Sequence, residues 1–367
     1  MRIGIILHGP EIVDVGSARK IISIFNKEHD VTAKLGGTMG RTAVLDAGLE
    51  NIIDISRGRT PSETINSIKD DIDLAILLNQ GKTVDTGRYF GRIVASRSDH
   101  SVPLVHIESP DHNGRIIYYY PPAKRCAEFV SNLLARNDKT YNLPVELGIP
   151  EPSSVLRDGD RIIRSIGGGF AGENIRLDGV VIGEITGSDI EIECRDGKIT
   201  RLKGIKGKPH GIEKLDNRRI DLFTARVKTG GIRRTKSKPK IGDIVSCGNK
   251  IAIIDHAAES TYELGRGADI VITIGDDTTT IAADILTRLG IPVIGIIDGD
   301  IDGVLKNTVV PAGSVIIRVQ AGFDDVVGKE LSQELMRGKQ QLMCDKDELT
   351  AKILALAEKY VVEVTYY

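Results

Sequence analysis

Apolar, strand-like runs alternate with helix-like segments in two similar stretches of the chain, separated by a middle stretch with a different rhythm. Between residues 1 and 142, RIGIILHG, DVTAKLGG, NIIDIS, LAILLNQ and VPLVHIES are short, β-branched apolar runs that read as strands. SARKIISIFNK, opened by Ser17, SETINSIKD and KRCAEFVSNLLAR carry helical periodicity between them. Nearly continuous apolar runs suit strands covered on both faces, so this segment predicts a doubly wound, Rossmann-like α/β domain. Residues 143–241 change character. The first twenty or so are rich in proline and turn residues and read as a linker. DGVVIGEITGSDIEIECRDGKITRLKGI then alternates in short runs broken by GS and DG, which predicts a small antiparallel β subdomain with a hairpin turning at RDGK.

From Gly242 to residue 367 the first rhythm returns. IAIID, IVITI, VIGII and GSVIIRV read as strands, AAESTYELGRG, TTTIAADILTRLG and KDELTAKILALAEKY as helices, and VVEVTYY as a closing strand. The predicted architecture is therefore α/β, with two Rossmann-like parallel-sheet domains, 1–142 and 242–367, flanking a small antiparallel β subdomain.

Chemistry concentrates where the apolar runs of the last domain end. Asp276 and Asp277 end one run, Asp298, Asp300 and Asp302 the next, and Asp324 and Asp325 follow a third. Right-handed crossovers bring the carboxyl ends of parallel strands to one sheet edge, where open α/β sheets bind ligands. Carboxylates gathered there repel one another, and a bound cation reverses that cost. Oxygen-only donors suit Mg²⁺, commonly shared with substrate phosphates. Thr278 and Thr279 start the helix after the first run and offer donors to a phosphate, although N-capping explains them equally well. Aspartate in an ordinary polar turn is the plainer account of the whole pattern.

The first domain offers weaker signals. His8 follows the first strand, with Glu11 and Asp14 close behind. GGTMGRT supplies Gly36, Gly37, Thr38, Gly40 and Arg41, small residues and a cation that would suit an anion. Neither stretch fits a dinucleotide fingerprint or a P-loop, and the GKT at 81–83 lacks the upstream glycine. Tight turns, a solvated Arg41 and a structural His8 account for the same residues. The basic run from Arg226 to Lys240, which contains Arg233 and Arg234, reads either as a solvated loop or as an arm closing over polyphosphate. No aromatic residue interleaves it, so stacking on single-stranded bases is not indicated.

Composition narrows the classes. A net charge of −2 argues against a globally basic nucleic-acid binder, leaving local patches as the only basis for such a partner. No run approaches 18 apolar residues and no cleavable leader pattern opens the chain, so a cytoplasmic protein with no membrane partner is expected. Four cysteines without CxxC spacing and seven histidines without HxxxH pairs point to neither disulfides nor zinc. Homo-oligomerisation stays open.

Four stretches, LHGPEIVDVG, LGGTMGRTAVLDAGLE, IGDDTTTIAADIL and IPVIGIIDGDIDG, resemble an uncharacterised family of methanogenic archaea over most of the length. That resemblance implies no activity. The C-terminal third is more distantly similar to thiamine pyrophosphokinase-like domains, which carry an acidic residue after one strand, a GDxDS loop some 20 residues on, and a further aspartate-bearing segment. Asp277 and Asp298 match that spacing, 298 − 277 = 21, with DGDIDG as the loop and AGFDD as the third segment. The likeness implies that Asp277, Asp298, Asp300, Asp324 and Asp325 hold Mg²⁺ and ATP phosphates. Gly303 stands where that family has Ser, and no DGGAN motif follows the first strand. DGDIDG also resembles the DxD of Toprim domains, for which Glu259 would be the acid/base, 39 residues upstream of Asp298.

The expectation is a Mg²⁺-dependent, nucleotide-utilising phosphoryl or pyrophosphoryl transferase, with ATP or another nucleotide as donor and a small phosphorylated molecule as partner. Two alternatives stand beside it: a non-catalytic nucleotide or small-ligand sensor, and a Toprim-like protein acting on nucleic acid.

Overall fold

Parallel pairing gathers the apolar runs into two sheets, one in each terminal part of the chain, in a computed structural model of the protein. The structure describes residues 1–151, 155–230, 235, 239–242, 248–255, 258–299, 310–339 and 341–367. The first sheet has seven strands, in the order Ile53–Asp54, Asp30–Gly36, Arg2–His8, Leu74–Asn79, Leu104–Glu108, Arg115–Tyr118 and Val145–Leu147. The chain builds outward from Arg2–His8 on one side and then returns to its other side with Leu74–Asn79. The gap between those two strands is thus the switch point of the sheet. Their parallel register sets His8 beside Asn79, and the next strand sets Glu108 beside Asn79. Three polar residues therefore end three adjacent strands whose interiors are buried and almost entirely apolar, His106 being the exception.

Two four-stranded antiparallel sheets follow. One joins Val155–Asp158, Arg161–Ile166, Ile190–Arg195 and Lys198–Lys203; the other joins Asn174–Leu177, Val180–Ile185, Ile205–Gly207 and Val227–Thr229. The predicted RDGK hairpin is present, turning through Asp196 at φ 48° and Gly197 at φ 75°, the left-handed pair that a tight two-residue hairpin requires. Both sheets bury their inner faces in one core, including Ile175, Leu177, Ile192 and Leu215. By contacts the chain divides into two units, Met1–Ser237 and Lys238–Tyr367, so these sheets share a unit with the seven-stranded one.

The second unit holds a six-stranded sheet. Lys250–Asp255, Ile270–Ile274, Val293–Ile297 and Val315–Val319 run parallel in sequence order, and Gln341–Met343 and Val361–Tyr366 close its edges antiparallel. The helix Asp276–Leu289 lays Ala282, Ala283 and Leu286 on one face, against Ile254, Val271 and Val293. Helices Asp324–Glu334 and Lys346–Ala357 lay Val327, Leu331, Leu349 and Ile353 on the other, against Ile272, Ile294 and Ile317. A sheet covered on both faces explains why its strands read as unbroken apolar runs rather than as alternation.

Several elements depart from the sequence reading. Arg115–Tyr118 joins the first sheet antiparallel to Leu104–Glu108, and Val145–Leu147 pairs parallel with it where proline-rich composition suggested a linker. The helix Val84–Arg97 was not expected, because Gly87 and Gly91 lower its helical propensity. AAESTYELGRG shrinks to a 3-10 turn at Ala258–Ser260 and a short helix at Thr261–Gly265. No helix among the described residues is long and apolar enough to cross a membrane.

Candidate functional site

The acidic edge of the second unit is built by three strand exits. Gly275, at φ 95°, breaks the Ile270–Ile274 strand sharply, and the following helix starts at Asp276, two residues earlier than the sequence reading placed it. Asp276 is thereby fixed at the first helical position, directly over the sheet edge. Asp298 leaves Val293–Ile297, and Asp324 opens the helix after Val315–Val319. One carboxylate oxygen from each of Asp276, Asp298 and Asp324 lies within 4.8 Å of the other two. Asp277 and Asp325, one helical step away from these positions, are exposed instead. The acidic residue that meets Asp298 is therefore Asp276, not the Asp277 matched by spacing to pyrophosphokinase-like domains.

Backbone N–H groups hold the cluster. Asp298 and Gly299 each donate to Asp276 Oδ2 at 3.3 Å, Gly322 donates to Asp298 Oδ2 at 2.7 Å, and Asp325 donates to Asp324 Oδ1 at 2.8 Å. Burial, and then the hydrogen-bonded carboxyl of Asp298 with its like charge, push the Asp276 carboxyl well above the ordinary carboxylate range. Two ionised carboxylates at this separation repel by roughly 3 to 4 kcal/mol at an effective dielectric near 20. A proton shared between them relieves that repulsion, and a divalent cation would relieve more of it. An all-oxygen donor set of this kind fits a hard cation such as Mg²⁺.

The threonines of the same helix face inward. Thr279 is fully buried and its Oγ1 pairs with that of Thr273 at 2.8 Å, while Thr278 is 5% exposed. Neither presents a hydroxyl at an open helix end. Asp300, Asp302, Arg233, Arg234 and the side chain of Glu259 lie outside the described residues.

In the first unit, Gly36, Gly37, Thr38, Gly40 and Arg41 form a packed turn. A Cβ on Gly36 would lie 2.7 Å from Pro61 Cα, and one on Gly40 would lie 2.9 Å from the Gly9 carbonyl. Gly37 sits at φ 97°, where a side chain is strained. Arg41 is 1% exposed, and its Nε donates to the Ile55 carbonyl at 3.2 Å. Close packing accounts for Gly36, Gly40 and Arg41, and the left-handed backbone accounts for Gly37.

His8 belongs to a polar network that sequence reasoning missed. The fully buried Glu108 carboxylate accepts from Gly81 N at 2.7 Å, Ser109 Oγ at 2.6 Å and Asn79 Nδ2 at 2.6 Å, and lies 3.1 Å from His106 Nε2. With Nδ2 committed to a carboxylate, Asn79 turns Oδ1 toward His8 Nδ1 at 2.9 Å, so that nitrogen donates. His8 Nε2 is left as an acceptor. Burial drives the His8 pKa below its ordinary value, which favours this neutral ring, and Phe90 stacks on it at 3.9 Å. Behind Glu108, Tyr119 Oη lies 2.9 Å from His106 Nδ1; burial pushes the Tyr119 pKa up, so the phenol keeps its proton and donates it. His106 and Glu108 stand at i and i+2 in an otherwise apolar strand, and that was the available signal.

Fold and site define an α/β protein with two parallel sheets, an acidic edge on one and a buried polar network at the switch point of the other. The family described as "Uncharacterized protein conserved in archaea (DUF2117)" matches residues 5–339, and the chain belongs to it. The "Uncharacterized protein MJ0065" of Methanocaldococcus jannaschii is 41% identical over 342 residues, covering 92% of this chain and 93% of that one.

Proposed function

We infer that the second unit binds a divalent cation, Mg²⁺ by its donor chemistry, and through it the phosphates of a nucleotide or another phosphorylated small molecule. The convergence of Asp276, Asp298 and Asp324 from three strand exits carries this reading. Asp276, Asp298 and Asp324 would hold the ion, which would neutralise phosphate charge and orient the ester. Phosphoryl transfer rests largely on positioning and electrostatics, so a transferase of this kind needs no protein nucleophile.

Thermal unfolding with and without MgCl₂ or MnCl₂ tests the cation. An ion at 100 times its dissociation constant stabilises the folded protein by about 2.7 kcal/mol, a midpoint shift of several degrees. Asp298→Asn should lose that shift without lowering the cation-free midpoint, because it removes repulsion against Asp276 while its amide oxygen can still accept from Gly322. Asp277→Asn should keep the shift. A wild-type protein that ignores both ions, or an Asp298→Asn variant that responds like wild type, sinks the reading. Release of ADP or AMP from ATP with Mg²⁺ and pooled cell metabolites, absent in Asp298→Asn, separates a transferase from a protein that only binds nucleotide.

A further inference from the structure

The buried network around Glu108 opens onto a cleft of about 350 Å³ within the first unit, at the switch point of its sheet. This is the size and place of a small-molecule site. One wall is the polar network, ending in His8 with Nε2 as the ring's remaining acceptor. A second is apolar, formed by Tyr89, Phe90 and Ile93 of the helix Val84–Arg97. Arg164, on the Arg161–Ile166 strand of the antiparallel subdomain, and Arg97 supply positive charge to the lining.

Those arginines are arranged as an anion's counterpart. Lys82, also in the lining, is matched by Glu173 at 2.5 Å, and the remaining charged residues of the lining, Lys228 and Glu11, are of opposite sign, which leaves the arginines as its excess charge. Arg164 is half-buried and donates through Nη1 to the Leu222 and Ala225 carbonyls, which fixes the guanidinium in place. Burial and then the like charge of Arg97 lower its pKa, against a smaller opposing attraction from Asp178. A desolvated cation repelled by a second cation gains from a bound anion what neither neutral carbonyl supplies. Gly167 keeps this side of the cleft close, since a Cβ there would fall 2.4 Å from the Tyr89 ring.

We propose that this cleft binds a small organic anion, whose carboxylate or phosphate is held by Arg164 and Arg97 and whose body donates a hydroxyl or N–H to His8 Nε2. The lining of this site comes wholly from the first unit, and its ligand carries the charge opposite to that of the cation proposed for the second.

Calorimetric titration of the full chain in EDTA, which silences any cation site, decides it with phenyl phosphate, benzoate, phenol and benzylamine as probes. The two anions mark phosphate and carboxylate recognition separately. At least one of them should bind tenfold or more tightly than phenol and benzylamine. Arg164→Met should weaken that anion at least tenfold, and Arg97→Gln, at an exposed position, about threefold or more. Asp298→Asn should leave the affinity unchanged, whether or not the acidic edge binds a cation. Equal affinity for anionic, neutral and cationic probes, or no anion binding at all, overturns the proposal. So does an anion affinity unchanged in Arg97→Gln, a measurement that remains decisive even if Arg164→Met unfolds.

Discussion

His106 and Glu108 sit in an otherwise apolar strand, packed beneath the glycines of the helix Val84–Arg97. Gly91 shows how tightly they are held: a Cβ there would stand 2.2 Å from Tyr119 Oη and 2.3 Å from His106 Nδ1. In an ordinary exposed helix, Gly→Ala gains up to about 1 kcal/mol. Here overpacking costs about 1–3 kcal/mol, and loss of the Tyr119–His106 hydrogen bond about 1 more, so the cost wins. Gly91→Ala should lower stability by about 1–3 kcal/mol, read as a lower urea midpoint at unchanged slope. His8 gives a pH-dependent counterpart. Its folded pKa is lowered, so the folded state resists protonation that the unfolded chain accepts. Its contribution to stability is complete above the unfolded value of about 6.5 and is lost as the pH falls through that value toward the folded one. His8→Phe keeps the stack on Phe90 but leaves Asn79 Oδ1 without its donor, at a cost of about 1–3 kcal/mol near pH 7.5. The gap between wild type and variant should narrow at pH 5.5, where wild type alone has begun to lose the histidine contribution; a gap that stays constant in urea titrations would assign the effect to packing.

Elements were legible in the sequence where local chemistry and tertiary packing agree. The hairpin Ile190–Arg195 to Lys198–Lys203 could be read from RDGK, because Asp-Gly supplies the two left-handed residues its turn needs. The strands IVITI and VIGII, and the convergence of acidic residues at their exits, followed from apolar runs that only a doubly covered sheet tolerates. Legibility failed where packing overrides propensity. Gly87 and Gly91 weaken the helix Val84–Arg97 as a local signal, yet both are set by the buried Glu108 and His106 beneath them, residues distant in sequence. The choice of Asp276 over Asp277 depended on where the helix begins, and a shift of one residue there turns a side chain by about 100°. Arg41 read as a solvated or anion-binding cation, and its burial against Ile55 O depends on a turn that no local pattern announces. The helix Pro61–Ile68, by contrast, carries its own start signal: Thr60 accepts from Glu63 N, and the Glu63 side chain accepts from Thr60 N at 2.8 Å. Thr60→Ala should cost about 1 kcal/mol, measurable by chemical denaturation, and Thr60→Ser should restore most of it.

At the scale of the whole molecule, each unit has what independent folding requires. The first, residues 1–237, contains the seven-stranded sheet with its buried isoleucines and leucines, together with the separate core of the antiparallel sheets. The second, 367 − 237 = 130 residues, covers both faces of its sheet with its own helices. A domain of that length buries roughly two thirds of the surface its unfolded chain exposes, enough for autonomous stability. Fragments 1–237 and 238–367, expressed separately, should each give a cooperative unfolding transition and dispersed amide resonances. Ligand responses should then sort by fragment. Mg²⁺ should raise the midpoint of 238–367 and leave 1–237 unmoved, because Asp276, Asp298 and Asp324 all lie in the former. Whichever of phenyl phosphate or benzoate binds the full chain should do the reverse, because the lining of the cleft, from His8 to Thr229, lies wholly in the latter. A Mg²⁺ response in 1–237, or an anion response confined to 238–367, would contradict the assignment of the two sites to their units, and it would do so without reference to any catalytic activity.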